Sequence, residues 1–287
     1  MSDNQLQIYQ PLVACEWLQA NLHATNLIIL DASVPPVVPG FIPVNSVEKF
    51  TAISGARRFD YDKQICKPNC SLPHMLPSAA LFQEEVRKLG INSDSAIVVY
   101  DDVGIYASPR AWWMFRAMGH SNVAVLDGGL PAWLKAEGAV SSQLAVVEQL
   151  GNFEANLNPD LFCDFQVVLS ALNDSSCRVL DARSSGRFHG TAPEPRPGVR
   201  SGHMPNAKNL PFPEVLADGH LKPVTQLRDI FENLVARDQK LITSCGSGLT
   251  ACILTLAANL AGYERLSVYD GSWAEWGAPS KLPVVCD

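Results

Sequence analysis

The sequence lacks several features that would place it in a membrane-bound or nucleic-acid-binding class. No apolar run approaches the roughly 18 residues of a membrane-spanning helix. Lys and Arg total 22 against 29 Asp and Glu, and the net charge of −7 provides no overall basic field for nucleic acid or anionic lipid. The opening MSDNQLQIYQ has neither the basic nor the apolar region of an export signal. We therefore expect a cytoplasmic protein that binds neither membrane nor nucleic acid.

The sequence also lacks a disulfide framework. Its 8 cysteines are scattered over 287 residues, and in a reducing compartment we expect free thiols. Cys66 and Cys70, followed by His74, have loosely metal-like spacing. They lack a second pair of ligands, whereas structural zinc usually has four protein ligands. We therefore predict no metal site.

What the sequence does contain is an internal repeat. The segment from Val125 to Trp133 returns 143 positions later, as the segment from Val268 to Trp276. Two further matches keep the same order at nearly the same offset: residues 27–33 with 179–183, and 97–101 with 241–245. The chain is long enough for two domains of about 140 residues. We predict an N-terminal domain at 1–140, a linker at 141–163 and a C-terminal domain at 164–287.

Each copy of the repeat reads as strand, loop and helix. Residues 96–100 and 240–244 are short apolar runs that end in a turn, as buried parallel strands do. Residues 249–261 carry apolar side chains at helical spacing, and residues 266–269 form a further strand pattern. This alternation predicts an α/β fold in which each domain has a mainly parallel sheet flanked by helices.

The most unusual stretch is the turn from Cys245 to Thr250, which also contains Gly246, Ser247, Gly248 and Leu249. A glycine-rich turn between a strand end and a helix start directs backbone N–H groups inward and forms an anion-binding nest. A thiol placed there is favoured as the thiolate, which is the nucleophile. A cysteine phosphatase would need Arg six positions after the cysteine, where this chain has Ala251. We expect Cys252, inside an apolar helix, to be a core residue.

These segments resemble the two-domain rhodanese-like sulfurtransferases, and within them the 3-mercaptopyruvate sulfurtransferases. The resemblance covers nearly the whole chain. It is carried by the 245–251 loop and by five further segments, at 108–113, 181–188, 193–196, 201–205 and 269–273. It implies two tandem rhodanese-like domains, of which the C-terminal one is catalytic. The N-terminal copy has Asp101 where the other has Cys245.

The resemblance also implies the substrate and the residues that bind it. Thiosulfate-specific relatives typically carry basic residues in the cysteine loop, whereas residues 246–250 are uncharged here. A neutral loop suits 3-mercaptopyruvate, whose carboxylate Arg187 and Arg196 would hold with Gly246, Gly248, Leu249 and Thr250 around it. The alternative for both arginines is surface salt bridging. Arg183, Arg110 and His203 are expected to be structural.

The implied reaction is a covalent sulfur transfer. Cys245 takes the substrate sulfur as a persulfide and pyruvate leaves, with Ser247 passing a proton to the departing enolate. The acceptor is a thiol, thioredoxin for example, or cyanide, and no metal or organic cofactor is needed. Asp62 and His74 match family positions that face the site, and their alternative is a solvated loop. Two other functions stay open: a thiosulfate sulfurtransferase, and a stoichiometric persulfide carrier.

Overall fold

The computed structural model describes residues 5–46 and 48–287. Residues 1–4 of the opening segment, where no export signal is expected, lie outside the described residues. The chain divides into two compact units. The N-terminal unit comprises residues up to Lys67, Leu76–Asn158 and Asp218–His220, and the C-terminal unit comprises Pro68–Met75, Pro159–Ala217 and Leu221–Asp287. Within the described ranges, no helix has the length and apolar composition to cross a membrane.

The N-terminal unit is built on a five-stranded parallel sheet in the order β1-β6-β5-β2-β4. Its central strand is wholly buried and wholly apolar apart from a final tyrosine, which suits a strand covered on both faces. A separate antiparallel pair joins β3 to β7. The elements are β1 (Leu12–Val13), α1 (Cys15–Asn21), β2 (Leu27–Asp31), β3 (Ala52–Ile53), β4 (Arg57–Arg58), α2 (Ala79–Lys88), β5 (Ala96–Tyr100), α3 (Ser108–Ala117), β6 (Val123–Leu126), α4 (Gly129–Lys135) and β7 (Val140–Ser141).

The C-terminal unit repeats this plan with the parallel order β10-β9-β13-β14-β8. A 3-10 helix at Phe212–Val215 and a two-stranded β11-β12 sheet are additions. The elements are β8 (Phe162–Cys163), α5 (Phe165–Ala171), β9 (Cys177–Asp181), α6 (Ser185–Phe188), β10 (Lys208–Asn209), β11 (Leu216–Ala217), β12 (His220–Leu221), α7 (Val224–Glu232), β13 (Lys240–Ser244), α8 (Ala251–Leu260), β14 (Leu266–Tyr269) and α9 (Ser272–Trp276).

The predicted fold class, two α/β domains with parallel sheets flanked by helices, is confirmed. The strands predicted at 96–100, 240–244 and 266–269 have the predicted bounds. The helix predicted at 249–261 is shorter and runs from Ala251 to Leu260. Its start is displaced because Gly248 has a φ of +76° and the N–H of Cys252 bonds to the Leu249 carbonyl in a tighter turn.

The segment 141–163, predicted as a linker, is partly built into the two units. Its first residue belongs to β7, and its last two residues form β8 on the edge of the C-terminal sheet. Phe153 is buried against the aromatic rings of Phe82, Phe115 and His120 in the N-terminal unit. These contacts supply apolar burial that a free linker would not have. The domain roles predicted from the sequence stay predictions.

Candidate active site

The loop that begins at Cys245 lies at the carboxyl end of β13, the central strand of the C-terminal sheet, and leads into α8. This edge of a parallel sheet is where α/β proteins place their binding sites. Cys245 is 1% exposed, and Ser247, Leu249 and Thr250 are also buried. Gly246 is the one partly exposed residue of the described loop 245–250. Five of the six predicted loop residues, the cysteine included, are therefore buried.

The short helix α9 fixes the position of the cysteine. The backbone N–H of Cys245 donates to the Ser272 hydroxyl at 3.1 Å, and the Cys245 carbonyl accepts from the N–H of Trp273 at 2.9 Å. The next carbonyl, of Gly246, accepts from the N–H of Ala274 at 2.8 Å. Ser272 is buried and has a φ of +49°, and its hydroxyl donates to the Tyr269 carbonyl. The start of the loop is thus attached to the end of β14 and the first turn of α9.

The rest of the loop presents unused backbone donors. Among the hydrogen bonds of residues 5–46 and 48–287, none has the N–H of Gly246, Ser247, Leu249 or Thr250 as its donor. Helix α8 follows the loop directly. No side chain caps its first turn, so the positive end of the helix dipole is left uncapped beside the loop. Unbonded N–H groups at a helix start form a site that can take an anion.

The matching loop of the N-terminal unit shows what such a nest holds. Asp101 follows β5 as Cys245 follows β13, and its carboxylate is fully buried. Both oxygens of that carboxylate are satisfied almost entirely by backbone. The donors are the N–H groups of Val103, Gly104, Tyr106, Ala107 and Ser108 and the Ser108 hydroxyl, at 2.7–3.1 Å. The loop of the N-terminal unit therefore holds a buried carboxylate without a bond from a basic side chain of the described residues.

The predicted substrate-binding arginines both reach the cysteine loop. A Cβ placed on Gly246 would lie 3.2 Å from Arg187 Nη2 and 4.0 Å from Arg196 Nη1. A residue larger than glycine at 246 would therefore displace Arg187. Arg187 extends from α6, where its side chain is 18% exposed. The two guanidinium groups therefore both lie beside Gly246, the residue that follows Cys245, where they provide positive charge next to the loop.

An ion-pair network holds Arg187. Its guanidinium bonds to the Glu194 carboxylate, which is 4% exposed and also pairs with Arg183 at 2.7 Å. Arg183 is fully buried, pairs with Asp181 at 2.6 Å and lies over the ring of Trp273 at 4.0 Å. The attraction of these carboxylates raises the pKa of Arg183 even though its burial acts in the opposite direction. The expected structural role of Arg183 is confirmed.

His203 and Arg110 also lie in the core, as expected. His203 stacks on Phe188 with centroids 4.0 Å apart, and its Nδ1 lies 3.0 Å from the Phe188 carbonyl oxygen. Residue 203 forms an isolated bridge to Val285. Arg110 is fully buried in α3. Among the described contacts of His203, none is with the cysteine loop.

The other cysteines differ from Cys245 in their surroundings. Burial raises the pKa of Cys15 to about 11 and the pKa of Cys163 to about 12, so both stay thiols at neutral pH. Cys252 is fully buried in α8, as expected of a core residue. Four more lie at least partly exposed outside the loop: Cys66, Cys70, Cys177 and Cys286. Within the described residues, no three His, Cys, Asp or Glu side chains are placed to hold a metal ion.

Asp62 and His74, the two remaining predicted site residues, fall in different units. Asp62 belongs to the N-terminal unit, and its carbonyl accepts from the Cys66 thiol at 3.4 Å. His74 belongs to the segment 68–75, which is counted with the C-terminal unit, and has a φ of +58°. The predicted roles, catalytic for Asp62 and substrate-binding for His74, stay predictions.

Two residues of the site were not singled out by sequence reasoning. Glu194 stands in the segment 193–196, and the signal was a single acidic residue between Arg187 and Arg196. Ser272 occupies the position that Gly129 holds in the other copy, and both have a positive φ, +49° and +52°. The signal in the sequence is that Ser272 aligns with a glycine of the other copy, which indicates a tight turn at this position.

Comparisons with known proteins agree with this geometry. The family model described as a rhodanese-like domain matches residues 14–136 and 164–279. The 3-mercaptopyruvate sulfurtransferase of Escherichia coli K12 is 36% identical over 275 residues, covering 95% of this chain and 96% of the relative. The thiosulfate sulfurtransferase of Rattus norvegicus is 39% identical over 280 residues, covering 94% and 92%. The crystal structure of the Escherichia coli 3-mercaptopyruvate sulfotransferase SseA superposes with a TM-score of 0.81 at 32% identity, covering 92% of this chain and 99% of that one.

Proposed function

This chain belongs to the rhodanese family, with two rhodanese-like domains in tandem, and on that basis we propose that it is a 3-mercaptopyruvate sulfurtransferase acting through Cys245. The observation that carries the proposal is the approach of Arg187 and Arg196 to Gly246, directly beside the cysteine. A thiol in a nest of backbone donors supplies the nucleophile, and the two arginines supply a carboxylate-binding site next to it. Relatives that carry this name are similar over nearly the full length.

In the first half of the reaction, the Cys245 thiolate attacks the thiol sulfur of 3-mercaptopyruvate. An S–S bond forms, the C–S bond breaks, and its electron pair leaves with pyruvate as the enolate. Protonation of the enolate carbon, to which Ser247 contributes a hydroxyl, gives pyruvate. Arg187 and Arg196 hold the substrate carboxylate throughout, together with the loop residues from Gly246 to Thr250. The loop N–H groups stabilise the charge on sulfur before and after the transfer.

In the second half, an acceptor thiolate or cyanide attacks the outer sulfur of the persulfide and releases the Cys245 thiolate. Thioredoxin is one thiol of suitable chemistry. Asp62 and His74 are proposed to take part in substrate or proton handling. No metal or organic cofactor enters either half. The cytoplasm is the proposed location.

A second candidate activity is thiosulfate sulfurtransfer, because a relative named for it is 39% identical. The loop argues against it as the main activity. Residues 246–250 carry no charge, so the dianion would meet only the arginines. The third possibility, a stoichiometric persulfide carrier, would use the same cysteine without repeated release of pyruvate.

The test combines turnover with mass measurement. With 3-mercaptopyruvate and a thiol acceptor, the protein should release pyruvate over many cycles, and without acceptor its intact mass should rise by one sulfur atom. Cys245→Ser should abolish both signals. Cys286→Ser, which removes an exposed thiol outside the loop, serves as the matched control and should keep both.

Three outcomes contradict the proposal in different ways. A single equivalent of pyruvate identifies a carrier, and a higher kcat/KM for thiosulfate identifies the second candidate activity. A persulfide that persists in Cys245→Ser places the chemistry on another cysteine.

A further inference from the structure

The charged groups beside the cysteine loop form one connected cluster. The Glu194 carboxylate pairs with both Arg187 and Arg183, and Asp181 pairs with the other edge of Arg183. Among the described residues, the guanidinium of Arg196 makes no hydrogen bond or ion pair with another side chain. Arg196 lies beside the same loop residue as Arg187, so we count it with the cluster, which then contains three positive and two negative side chains. One positive charge is left uncompensated, and Arg196 carries it.

We infer that Glu194 is a positioning residue that selects the charge of the sulfur donor. It holds Arg187 against the loop and, by neutralising one guanidinium, limits the cluster, counted without the Cys245 thiolate, to a single net positive charge. A donor with one carboxylate matches that charge, whereas a dianion such as thiosulfate brings one negative charge too many. This inference rests on the proposed function and deepens it, because it names the residue that excludes dianions.

Burial makes the charge of Glu194 effective. Its side chain is 4% exposed, and those of Arg187 and Arg183 are 18% and 0% exposed. Charges in such surroundings are screened far less by water and salt than surface charges are. A second negative charge on the ligand would lose its hydration on entering the site, and no further positive charge there would compensate for that loss. The selection therefore follows from the charge count and does not need a basic or acidic residue in the loop itself.

The decisive variant is Glu194→Gln, which keeps the size of the side chain and one acceptor oxygen while removing the charge. The net charge of the cluster then rises by one, and each negative charge of a ligand gains one additional attraction. Thiosulfate has one negative charge more than 3-mercaptopyruvate. The ratio of kcat/KM for thiosulfate to that for 3-mercaptopyruvate should therefore rise about tenfold, for charges several ångströms apart at a moderate effective dielectric constant.

Measuring a ratio keeps the test valid if the variant folds poorly. Both substrates are assayed on the same preparation, so the fraction of folded protein cancels. Glu194→Asp retains the charge at a shorter reach and should keep the wild-type ratio, even where the altered position of Arg187 lowers both rates. Glu232→Gln breaks an exposed ion pair with Arg237 at the end of α7 and should leave rates and ratio unchanged.

Two results overturn the inference while the proposed function stands. In the first, the wild-type protein turns over 3-mercaptopyruvate but Glu194→Gln has an unchanged ratio. In the second, Glu194→Asp raises the ratio as much as Glu194→Gln does, which would assign the effect to geometry and not to charge. A wild-type protein that does not release pyruvate from 3-mercaptopyruvate contradicts the proposed function instead, and that result is read before any variant is compared.

Discussion

Arginine serves two different purposes within one short stretch of the C-terminal unit, and the surroundings of each side chain decide which. Arg183 is fully buried between two carboxylates and over Trp273. Arg196 has no such partners among the described residues and lies beside the cysteine loop. Because ionised side chains are retained in a protein interior only when paired, the first residue belongs to the fold. The second keeps its charge available for a ligand.

Substituting glutamine for each arginine should separate the two purposes. Arg196→Gln should lower kcat/KM for 3-mercaptopyruvate by about ten- to a hundredfold, mainly through KM, because a charge-assisted contact with the carboxylate is lost. Its free energy of unfolding should change by less than about 0.5 kcal/mol. Arg183→Gln should lose about 3–5 kcal/mol, because Asp181 and Glu194 would be left buried with less compensation.

Steady-state kinetics and urea denaturation, applied to both variants, check this pair of expectations. Unchanged kinetics in Arg196→Gln would remove that residue from the substrate site. If Arg183→Gln is as stable as the wild type, the buried ion pairs contribute less to the free energy of unfolding than their burial indicates.

At the scale of elements, α9 is a five-residue helix that supports the cysteine loop. Its first residue, Ser272, combines a left-handed backbone with a hydroxyl that accepts from the Cys245 N–H. The corresponding glycine of the other copy, Gly129, could not carry a Cβ, which would lie 2.4 Å from the Asp101 carbonyl oxygen. The left-handed backbone of Ser272 thus lowers the stability of the C-terminal unit, but its hydroxyl provides a hydrogen bond that holds the Cys245 backbone.

Two substitutions at Ser272 separate backbone strain from the hydrogen bond. Both Ser272→Gly and Ser272→Ala remove the hydroxyl, so both should lower kcat/KM by a similar factor, because Cys245 loses its anchor. Only the alanine variant keeps a side chain in the left-handed region. It should therefore be less stable than the glycine variant by about 1 kcal/mol.

Chemical denaturation and kinetics on the two proteins test this expectation. Wild-type kinetics in Ser272→Ala would show that the loop holds its position without α9. Equal stabilities would indicate that the serine backbone is not strained.

Elements were easier to predict than the site, for a physical reason. A buried parallel strand such as β5 or β13 is an apolar run that ends in a turn. Its first and last residues can therefore be identified from the local sequence. The start of α8 was misplaced by two residues because Leu249 continues the apolar pattern while Gly248 turns the backbone. The ion pairs of Glu194 could not be predicted, because they depend on how the chain folds back between α6 and residue 196. Local sequence does not encode that return path.

At the scale of the whole molecule, the duplication has placed one type of loop in two chemical settings. In the N-terminal unit the nest is filled permanently by the carboxylate of Asp101, which accepts six hydrogen bonds. In the C-terminal unit the corresponding residue is Cys245, and neighbouring N–H groups are left unbonded by the described chain. One loop therefore has its donors satisfied by its own carboxylate, whereas the other has donors available for a ligand.

The two loops should consequently respond in opposite ways to alanine. Asp101→Ala removes a buried anion and strands five backbone N–H groups, so the N-terminal unit should lose about 3–5 kcal/mol. Cys245→Ala removes only a thiol and should change the stability of the C-terminal unit by no more than about 1 kcal/mol, while activity is abolished. Hydrogen exchange followed by mass spectrometry reads the two units separately, through peptides that contain β5 and β13.

Asp101→Asn is the matched control. It preserves shape but turns an amide group toward the donors, so β5 should again exchange faster than in the wild type. If Cys245→Ala exposes β13 as strongly as Asp101→Ala exposes β5, then the cysteine side chain is itself structural, and the division of the duplicated loops into a structural and a reactive copy is wrong.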